Sequence, residues 1–401
     1  MFIVADSKIP HAETAFNQLG EVKAIPTKQM TNDAVKDADV ILVRSETKVD
    51  ASLLKGARAR FVGTATIGSD HVDLEYLRKN NIGFASCPGS NANSVAEYVL
   101  AALLEVEARL GIPLKGKTLG VVGHGNTGSG VAMKAEAIGM NVLLNDPPLA
   151  RTTSDSRYVP LDALMDADFI SLHVPLTKSG EDATFHLFDG SRLAAMKAGS
   201  VLMNSSRGGV AETEAVKKAL RTNHLRACVL DVWENEPNID GELLQLVTIG
   251  TPHIAGYSHD GKLNATRMLQ HALNRFFQSS IVQRNTFDAS EQKKTIVLPS
   301  DNSDIEFLVR HAVQKCYNIE RDDADLRQLL SQPEQQRGDY FRDLRAKYRV
   351  RREFPNYIIN SNNISTELAH ILSSVGFKLL HKTEDNELRT HILGKSQRPA
   401  T

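Results

Sequence analysis

Short runs of β-branched and other apolar residues alternate with segments of helical periodicity over the first two-thirds of the chain. Short apolar runs indicate buried strands, and strands that alternate with helices are typical of parallel sheets built from βαβ units. A first series of strands is predicted at 2–6, 22–26, 40–45, 61–66 and 83–87. A second series is predicted at 118–123, 141–146, 169–175, 200–206, 227–232 and 247–253.

Two longer segments are predicted to be helices, one between the two series at 94–110 and one after them at 261–278. The first helix has one apolar face, as expected of a helix that packs on a core. This face holds Val95, Val99, Ala102, Leu103 and Val106. The sequence therefore predicts an α/β fold with two Rossmann-like parallel-sheet domains. A return of the helix at 261–278 to the first unit is natural, although the sequence alone does not show it. It gives one domain of residues 1–93 and 257–285 and another of residues 94–256.

The pattern changes near Thr286, where a polar stretch precedes a predicted strand at 295–298, helices and a second strand at 357–360. Apolar residues then recur at helical spacing at Ile305, Leu308, Val309, Ala312, Val313 and Cys316. This predicts a small C-terminal α+β domain over 286–381 and a polar tail over 382–401. The apolar faces of 305–316 and 368–375 are candidates for burial in a two-fold interface.

Composition excludes several classes of protein. Lysine and arginine number 47 against 48 acidic residues, and a net charge of −1 gives no bulk attraction for nucleic acid. Hydrophobic and charged fractions of 41% and 24% exclude collagen-like and wholly disordered chains. No apolar stretch predicts a membrane span, and no basic region precedes an apolar run as in a signal peptide, so a cytoplasmic protein is expected. Three widely separated cysteines fit reduced thiols better than a disulfide or metal site.

The candidate chemistry begins with three glycines in G-x-G-x-x-G spacing, after an apolar strand and before a helical segment. Such glycines give a tight turn, a close approach of backbone to pyrophosphate, and close packing of helix on strand. Asp146 ends the next strand, where a carboxylate binds ribose hydroxyls and repels a 2′-phosphate. The pattern predicts NAD rather than NADP, with a flavin as the alternative. The candidate cofactor residues of the loop are Gly123, Gly125, Asn126, Thr127 and Gly128.

Three charged residues, Arg207, Glu236 and His253, follow predicted strands of the second series, where parallel-sheet enzymes carry their chemistry. Oxidation of a 2-hydroxy acid needs a cation for the carboxylate and a base for the hydroxyl proton. Arginine offers a two-donor fork, and histidine titrates near neutral pH. A neighbouring carboxylate orients an imidazole and stabilises its charged form. Each residue alone is more often a loop or packing residue, so the assignment depends on their combination.

The three motifs, after the glycine fingerprint, resemble the D-isomer-specific 2-hydroxyacid dehydrogenase family. The segments Val-Arg-Ser-Glu-Thr-Lys-Val, Asn-Asp-Pro-Pro and Gly-Thr-Pro-His-Ile-Ala-Gly-Tyr carry the same resemblance, which covers about residues 1–380. It implies that Arg207, Glu236 and His253 are catalytic. By family correspondence it also implies substrate contacts at Ser45, Thr66 and Tyr257, and cofactor contacts at Asp146, Asp231 and Gly256.

Beyond Thr286, Arg-Asp-Asp-Ala-Asp-Leu-Arg and Tyr-Arg-Val-Arg-Arg-Glu-Phe resemble the C-terminal domain of one member of this family. That member oxidises a phosphorylated 2-hydroxy acid and dimerises through this domain. The resemblance thus implies an NAD-dependent, homodimeric dehydrogenase whose partner is a small phosphorylated 2-hydroxy acid. Residues 1–93 and 257–285 then become the substrate-binding domain, and residues 94–256 the NAD-binding domain.

Other interpretations remain open. Another D-2-hydroxyacid dehydrogenase, such as a 3-phosphoglycerate dehydrogenase, needs the same three residues. A non-enzymatic NAD(H) sensor of the corepressor type would bind protein partners, although an ordered C-terminal domain argues against it. His71 and His173 are expected to be structural or to line a pocket, and Trp233 to pack in the core. The basic run at 342–352 is either a solvated helix face or an attraction for a phosphorylated substrate.

Overall fold

The computed structural model describes residues 1–279, 293–300, 304–360 and 364–380. It confirms the predicted α/β class, with parallel strands in each of three sheets. The described residues group into two compact units. Unit 1 contains Met1–Val95 and the described residues from 256 to 279; unit 2 contains Ala96–Ala255 and the described residues from 293 onward. The predicted tail at 382–401 and residues 280–292, which include most of the polar stretch after Thr286, lie outside the described residues.

The strands of unit 1 are β1 (Phe2–Asp6), β2 (Glu21–Ile25), β3 (Val40–Val43), β4 (Phe61–Thr64) and β5 (Gly83–Ala85). Those of unit 2 are β6 (Thr118–Val122), β7 (Asn141–Asn145), β8 (Phe169–Leu172), β9 (Ser200–Asn204), β10 (Leu225–Leu230), β11 (Ile249–Gly250), β12 (Lys294–Ile296), β13 (Tyr357–Asn360) and β14 (Lys378–Leu380).

The helices follow in chain order. They are α1 (Ala12–Phe16), α2 (Asn32–Val35), α3 (Ala51–Leu54), α4 (Leu74–Lys79), α5 (Ala92–Leu110), α6 (Asn126–Ala137), α7 (Pro147–Thr153), α8 (Gly190–Ala195), α9 (Thr213–Arg221), α10 (Gly241–Leu246), α11 (His259–Phe276), α12 (Ile305–Cys316), α13 (Ile319–Arg327), α14 (Glu334–Ala346) and α15 (Thr366–Ser374). No helix in the described part of the chain is both long and apolar enough to cross a membrane.

Unit 1 is a five-stranded sheet in the order β2–β1–β3–β4–β5 with apolar clusters on both faces. Parallel strands buried on both faces are expected to be continuous apolar runs, and Val40–Val43 is fully buried. On one face α11 packs through Ala265, Leu269 and Leu273. The chain therefore returns to its first sheet after completing the second.

Unit 2 contains a six-stranded sheet in the order β11–β10–β9–β8–β6–β7. The order reverses direction beside β6, and ligands of open α/β sheets bind at such a point, beyond the carboxyl ends of the strands. The described residues from 293 onward, called the C-terminal segment below, add a three-stranded parallel sheet in the order β12–β13–β14. These residues group with unit 2, so a third, independent domain stays a prediction.

One expectation about the C-terminal segment is wrong. The apolar faces of 305–316 and 368–375 are not available for a two-fold interface, because they are buried inside the chain itself. Helices α12 and α15 pack on each other, and their buried residues include Leu308, Val309, Val313, Leu368 and Leu372. A small domain has little apolar surface, so it needs to bury such faces in its own core.

The three cysteines are free thiols, two of them fully buried and Cys316 partly so. Burial raises the pKa of Cys87 to about 12. It also raises the pKa of Cys228 and Cys316. Thiols held in this way are protonated and unreactive at neutral pH, which fits the structural role that the sequence predicts.

Candidate active site

The glycine-rich loop joins β6 to α6, and each glycine has its own steric reason. Gly123 has a φ of +88°, and a Cβ there would lie 2.7 Å from the carbonyl oxygen of His173. At Gly128 a Cβ would collide with the carbonyl oxygen of Gly123. At Gly125 the space beside the Cα is open, which leaves room for a pyrophosphate to approach the backbone. The loop therefore has the shape that a dinucleotide requires.

The N-terminus of α6 is open to an anion. The helix begins at Asn126 with Gly125 as its N-cap, so no side chain caps the first turn. Its first N–H groups and the helix dipole favour negative charge at this end. Asn126 is exposed and Thr127 half-buried. These residues fit the phosphates of a bound dinucleotide, as the sequence predicts.

Asp146 ties this loop to the end of β7. Its Oδ1 accepts a hydrogen bond from the N–H of Leu149 at 3.0 Å, and its Oδ2 accepts one from the N–H of His124 at 2.9 Å. The first bond caps α7 and the second holds the glycine-rich loop. Each carboxylate oxygen has a further lone pair, so the group can also accept from ribose hydroxyls.

Glu236 and His253 form a hydrogen-bonded pair. Nδ1 of His253 lies 2.7 Å from Oε2 of Glu236, and a carboxylate can only accept, so Nδ1 donates and Nε2 is left for a substrate. Oε1 of Glu236 accepts from the N–H of Trp233 at 2.9 Å. Burial acts to raise the pKa of Glu236, but the His253 charge and these hydrogen bonds outweigh it, so its pKa lies below the usual value. Glu236 is therefore a carboxylate at neutral pH.

His253 lies on a loop after β11 that Asp231 holds in place. The N–H of His253 donates to the carbonyl oxygen of Asp231 at 2.7 Å. The carboxylate of Asp231 accepts from the N–H groups of Ile254 at 2.7 Å and Ala255 at 2.9 Å. It also accepts from the hydroxyl of Thr251 at 2.7 Å. In this structure Asp231 is a buried loop anchor, and its contact with a cofactor stays a prediction.

Arg207 follows β9 and precedes a 3₁₀ helix at Gly208–Val210. Its guanidinium donates to the carbonyl oxygen of Ser206 at 2.8 Å. A Cβ at Gly208 would collide with the backbone of Trp233, so the Arg207 loop packs directly against the segment that leads to Glu236. Strands β9, β10 and β11 are neighbours in the sheet. The three predicted catalytic residues therefore lie beyond the carboxyl ends of adjacent strands.

A second Glu–His pair lies in the same unit. Nε2 of His186 is 2.7 Å from Oε1 of Glu234, whose other oxygen accepts from the N–H of Thr213 at 2.8 Å. This pair is not predicted from the sequence, since no motif marks His186. It has the same chemistry as the Glu236–His253 pair and makes a matched control for it.

The predicted substrate contacts belong to unit 1. Ser45 is exposed after β3. The hydroxyl oxygen of Thr66 lies 2.7 Å from that of Thr64. Tyr257 and Gly256 precede α11, and a Cβ at Gly256 would collide with the side chain of Asn91. The roles of Ser45, Thr66 and Tyr257 in substrate binding, and of Gly256 in cofactor binding, stay predictions.

Comparison with known proteins identifies the family. The model of the D-isomer specific 2-hydroxyacid dehydrogenase NAD binding domain matches residues 93–255. An erythronate-4-phosphate dehydrogenase from Salinibacter ruber is 43% identical over 91% of this chain and 95% of its own length. A second, from Chromohalobacter salexigens, is 41% identical over 94% of this chain and 99% of its own. The chain belongs to the erythronate-4-phosphate dehydrogenase family.

Solved structures agree with this assignment. The NAD⁺-bound 3-phosphoglycerate dehydrogenase of Entamoeba histolytica covers 71% of this chain and 97% of its own, with a TM-score of 0.60 and 26% identity. The D-lactate dehydrogenase of Aquifex aeolicus, in complex with NAD and lactic acid, covers 69% of this chain and 95% of its own, with a TM-score of 0.57 and 28% identity. The chain is thus an NAD-dependent dehydrogenase, as the sequence predicts. A model described only as a domain of unknown function matches residues 292–376.

Residues that hold the His253 loop of this dehydrogenase were missed by the sequence reasoning. The hydroxyl of Tyr98 lies 2.7 Å from that of Thr251, and the indole N–H of Trp233 donates to the carbonyl oxygen of Thr251 at 2.9 Å. The packing predicted for Trp233 is present, because it is 4% exposed. Its N–H was the overlooked signal, since a buried indole needs an acceptor. For Tyr98 no spacing along the chain points to its partner.

The hydrogen-bond partners of the His71 and His173 rings are hydroxyl groups rather than any of the three catalytic candidates. Nε2 of His71 is 3.0 Å from the hydroxyl of Thr64, and burial lowers the pKa of His71. Nε2 of His173 is 2.9 Å from the hydroxyl of Ser171. Part of His173 is exposed, but its Nδ1 atom is buried, and burial lowers the pKa of His173 to about 3. Both rings are neutral at pH 7, in keeping with a structural role.

Proposed function

We propose that this dehydrogenase oxidises 4-phospho-D-erythronate to 2-oxo-3-hydroxy-4-phosphobutanoate with NAD, as a step in the biosynthesis of pyridoxal 5′-phosphate (vitamin B6). The observation that carries the proposal is the Glu236–His253 pair at 2.7 Å, at the carboxyl ends of the strands, where Arg207 also lies. The relative that is 43% identical over 377 residues supports the choice of substrate. A base, its carboxylate partner and a guanidinium are what oxidation of a 2-hydroxy acid needs.

His253 is the proton acceptor of this reaction. Because Nδ1 bonds Glu236, Nε2 takes the proton of the C2 hydroxyl, and the Glu236 carboxylate stabilises the imidazolium that forms. Arg207 binds the substrate carboxylate through two N–H donors. The glycine-rich loop and Asp146 would hold NAD, which would supply the two-electron oxidant that accepts a hydride from C2. In the reverse direction His253 returns the proton to the carbonyl oxygen.

Three basic side chains of unit 1 are the proposed site for the substrate phosphate: Lys8, Arg44 and Lys262. Lys8 follows β1 and Arg44 follows β3, and these paired strands share one edge of the sheet. Lys262 lies in the first turns of α11, where Thr266 donates to the carbonyl oxygen of Pro10 at 3.0 Å. Burial lowers the pKa of Lys262, and the charges of Arg44 and Lys8 lower it further. Cations grouped in this way favour a bound dianion.

A second candidate substrate is 3-phospho-D-glycerate, which also pairs a 2-hydroxy acid with a terminal phosphate. The observation that favours it is the TM-score of 0.60 to the 3-phosphoglycerate dehydrogenase of Entamoeba histolytica. The C-terminal segment argues against this substrate. The Entamoeba histolytica structure covers 71% of this chain, whereas the erythronate-4-phosphate dehydrogenase of Chromohalobacter salexigens covers 94%. The two substrates differ by one hydroxymethylene group, so direct comparison decides between them.

The test measures initial rates of NADH formation with 4-phospho-D-erythronate, 3-phospho-D-glycerate and their unphosphorylated forms. We expect the highest kcat/KM with 4-phospho-D-erythronate. A higher value with 3-phospho-D-glycerate would favour the second candidate. Turnover with none of the four would favour the NAD(H)-sensing alternative.

The phosphate site is tested separately with Lys262→Met. This variant should raise KM for 4-phospho-D-erythronate by about 10-fold or more, and leave KM for unphosphorylated D-erythronate nearly unchanged. Lys262→Arg keeps the charge and serves as its control. Lys8→Met should have a smaller effect, because Lys8 already pairs with Glu46 at 3.5 Å. Equal losses with both substrates in Lys262→Met would show that Lys262 does not bind the phosphate.

The finer points of assembly and location are also proposals. We propose that the chain forms a homodimer through the C-terminal segment, whose Val297 and Val350 are 78% and 80% exposed. These are the most exposed large apolar side chains among the described residues. Sedimentation of Val350→Lys against the native chain tests the interface. Free thiols at all three cysteines support the proposal that the protein works in the cytoplasm.

A further inference from the structure

The C-terminal segment covers the edge of the six-stranded sheet that leads to His253. Strand β11 is the last strand of that sheet, and an edge strand leaves backbone N–H and C=O groups without a partner strand. Asp323 of α13 takes one of them, because its Oδ1 accepts from the N–H of Gly250 at 2.8 Å. The segment thus supplies a hydrogen bond to Gly250 that a neighbouring strand would otherwise make.

Arginines complete this edge. Arg327, whose Nε lies 3.0 Å from Oδ1 of Asp323, donates to the carbonyl oxygens of Leu244 at 2.9 Å and Val247 at 2.8 Å. Arg109 of α5 donates to the carbonyl oxygen of Thr248 at 2.9 Å. The backbone that enters the His253 loop is therefore held by charged side chains, and hydrogen bonds to charged groups are the strong ones.

The other end of the loop is held by Arg351. Its guanidinium donates to the carbonyl oxygen of Ala255 at 3.1 Å and lies 4.0 Å from the centre of the Tyr317 ring. The side chain is 2% exposed, and Oε2 of the fully buried Glu97 lies 3.8 Å away. Burial raises the pKa of Glu97 to about 8. A buried guanidinium has few alternative positions, so Arg351 fixes the Ala255 carbonyl firmly.

The segment also packs on the loop that carries Glu236. Gly338 of α14 approaches so closely that a Cβ there would collide with the side chain of Asn238, two residues after Glu236. Leu326, Leu329 and Phe341 belong to the same apolar cluster as Trp233. The positive charge of Arg345 acts on Glu236 as well, and adds to the effects that lower the pKa of that carboxylate.

We propose that the C-terminal segment is a positioning element for the proton-transfer pair, with Asp323 and Arg351 holding the two ends of the loop that presents His253 to Glu236. This inference rests on the proposed function, in which His253 accepts the substrate proton. It gives the domain of unknown function a task inside each subunit, distinct from joining subunits. Both residues act through the backbone of the loop and touch no reacting atom.

The experiment compares full-length Asp323→Ala, Asp323→Asn and Arg351→Met with the native protein, in kcat, KM, the Kd of NADH and Tm. Asp323→Ala and Arg351→Met should lower kcat by about 10-fold or more, because a small displacement of a base slows proton transfer steeply. The Kd of NADH should stay within about 2-fold. Asp323→Asn keeps an oxygen that can accept from Gly250, and should restore most of kcat.

The pH profile separates positioning from general loss of stability. Glu236 faces His253 and Arg345, and His253 also faces Asp231. When the loop shifts in Asp323→Ala, the imidazolium loses its carboxylate partner, so the acid limb of the kcat/KM profile should move to lower pH. Arg349→Met is the matched control, since Arg349 bonds Asp322 at 2.6 Å in the same segment but does not hold the loop. It should lower Tm and leave kcat and the pH profile unchanged.

Two results would overturn the inference: native kcat in Asp323→Ala despite a lower Tm, or the same loss of kcat in Arg349→Met as in Asp323→Ala. If Arg351→Met does not fold, the Asp323 pair of variants decides alone. His253→Ala tests the underlying function independently. If that variant keeps its turnover, the proposed function fails. If it loses turnover while Asp323→Ala keeps it, only the positioning role fails.

Discussion

His253 occupies a backbone conformation that few residues adopt. Its φ is +58°, in the left-handed region where residues other than glycine are uncommon, although histidine is found there more often than most. The N–H bond to Asp231 at 2.7 Å and the anchored residues after it hold this conformation. Strained backbone is often found at reactive groups, and here it places the imidazole against Glu236.

The first prediction concerns Glu236→Gln. The amide keeps an oxygen for Nδ1 of His253 but removes the negative charge that stabilises the imidazolium. We expect kcat to fall by about 10-fold or more, and the acid limb of the kcat/KM profile to move to lower pH. Glu234→Gln, which changes the neighbouring pair with His186, should leave the profile in place. Equal shifts in both variants would contradict the assignment of His253 as the base.

The second prediction concerns Asp146→Ser. Serine can still cap α7, so the helix should survive, while the loss of the carboxylate removes the group that repels a 2′-phosphate. The ratio of kcat/KM for NAD to that for NADP should fall by about 10-fold or more. Asp146→Asn is the control for charge alone. A native protein that uses NADP as well as NAD would show that Asp146 does not set the cofactor.

At the residue scale the sequence predicted the Glu236–His253 pair, but not the residues that hold the His253 loop in place. Arg207, Glu236 and His253 stand in recognisable motifs after strands, so spacing and chemistry sufficed to find them. Asp323 and Arg351 act on Gly250 and Ala255 across long stretches of chain. Their motifs gave family membership, but no spacing along the chain shows which carbonyl or N–H group a distant side chain meets.

At the scale of elements, the glycine-rich loop separates two steric demands. Gly128→Ala should lower Tm and weaken NADH binding by about 10-fold or more, because the new methyl group meets backbone and α6 must move. Gly125→Ala should leave Tm nearly unchanged, since no protein atom lies near the new methyl group. It should still weaken NADH binding, because the methyl group occupies the space that the pyrophosphate needs. Thermal unfolding and fluorescence titration of NADH give both quantities. Identical behaviour of the two variants would contradict this division of roles.

Element boundaries show where pattern reasoning reaches its limit. Strands such as β1 and β13 lie where the apolar pattern places them. The strand predicted at 247–253 is only Ile249–Gly250, because the following residues turn to meet Asp231. Strand β14, at Lys378–Leu380, was not predicted, since three residues carry too little pattern. Tertiary hydrogen bonds decided both cases, and they are not visible in local sequence.

At the scale of the whole molecule, the C-terminal segment shares a core with the NAD-binding sheet. Ending the chain before residue 293 removes Leu326, Leu329 and Phe341 from the cluster around Trp233. Each such loss costs about 2–5 kcal/mol, against a typical total stability of about 5–15 kcal/mol. We therefore expect the shortened chain to aggregate or lose cooperative unfolding in circular dichroism. A folded, active monomer would show that the segment serves assembly alone.

The three cysteines lie in three different parts of the molecule: Cys87, which is buried in unit 1, Cys228, which is buried on β10, and Cys316, which is partly buried at the end of α12. An alkylating reagent reaches a buried thiol only while its surroundings are open. The rate at which each cysteine is modified, followed by mass spectrometry, therefore reports the opening of its own region without any engineered label. If the C-terminal segment stabilises the second sheet, Cys228 and Cys316 should be alkylated at similar rates in the native chain. The rate for Cys87 should differ from theirs.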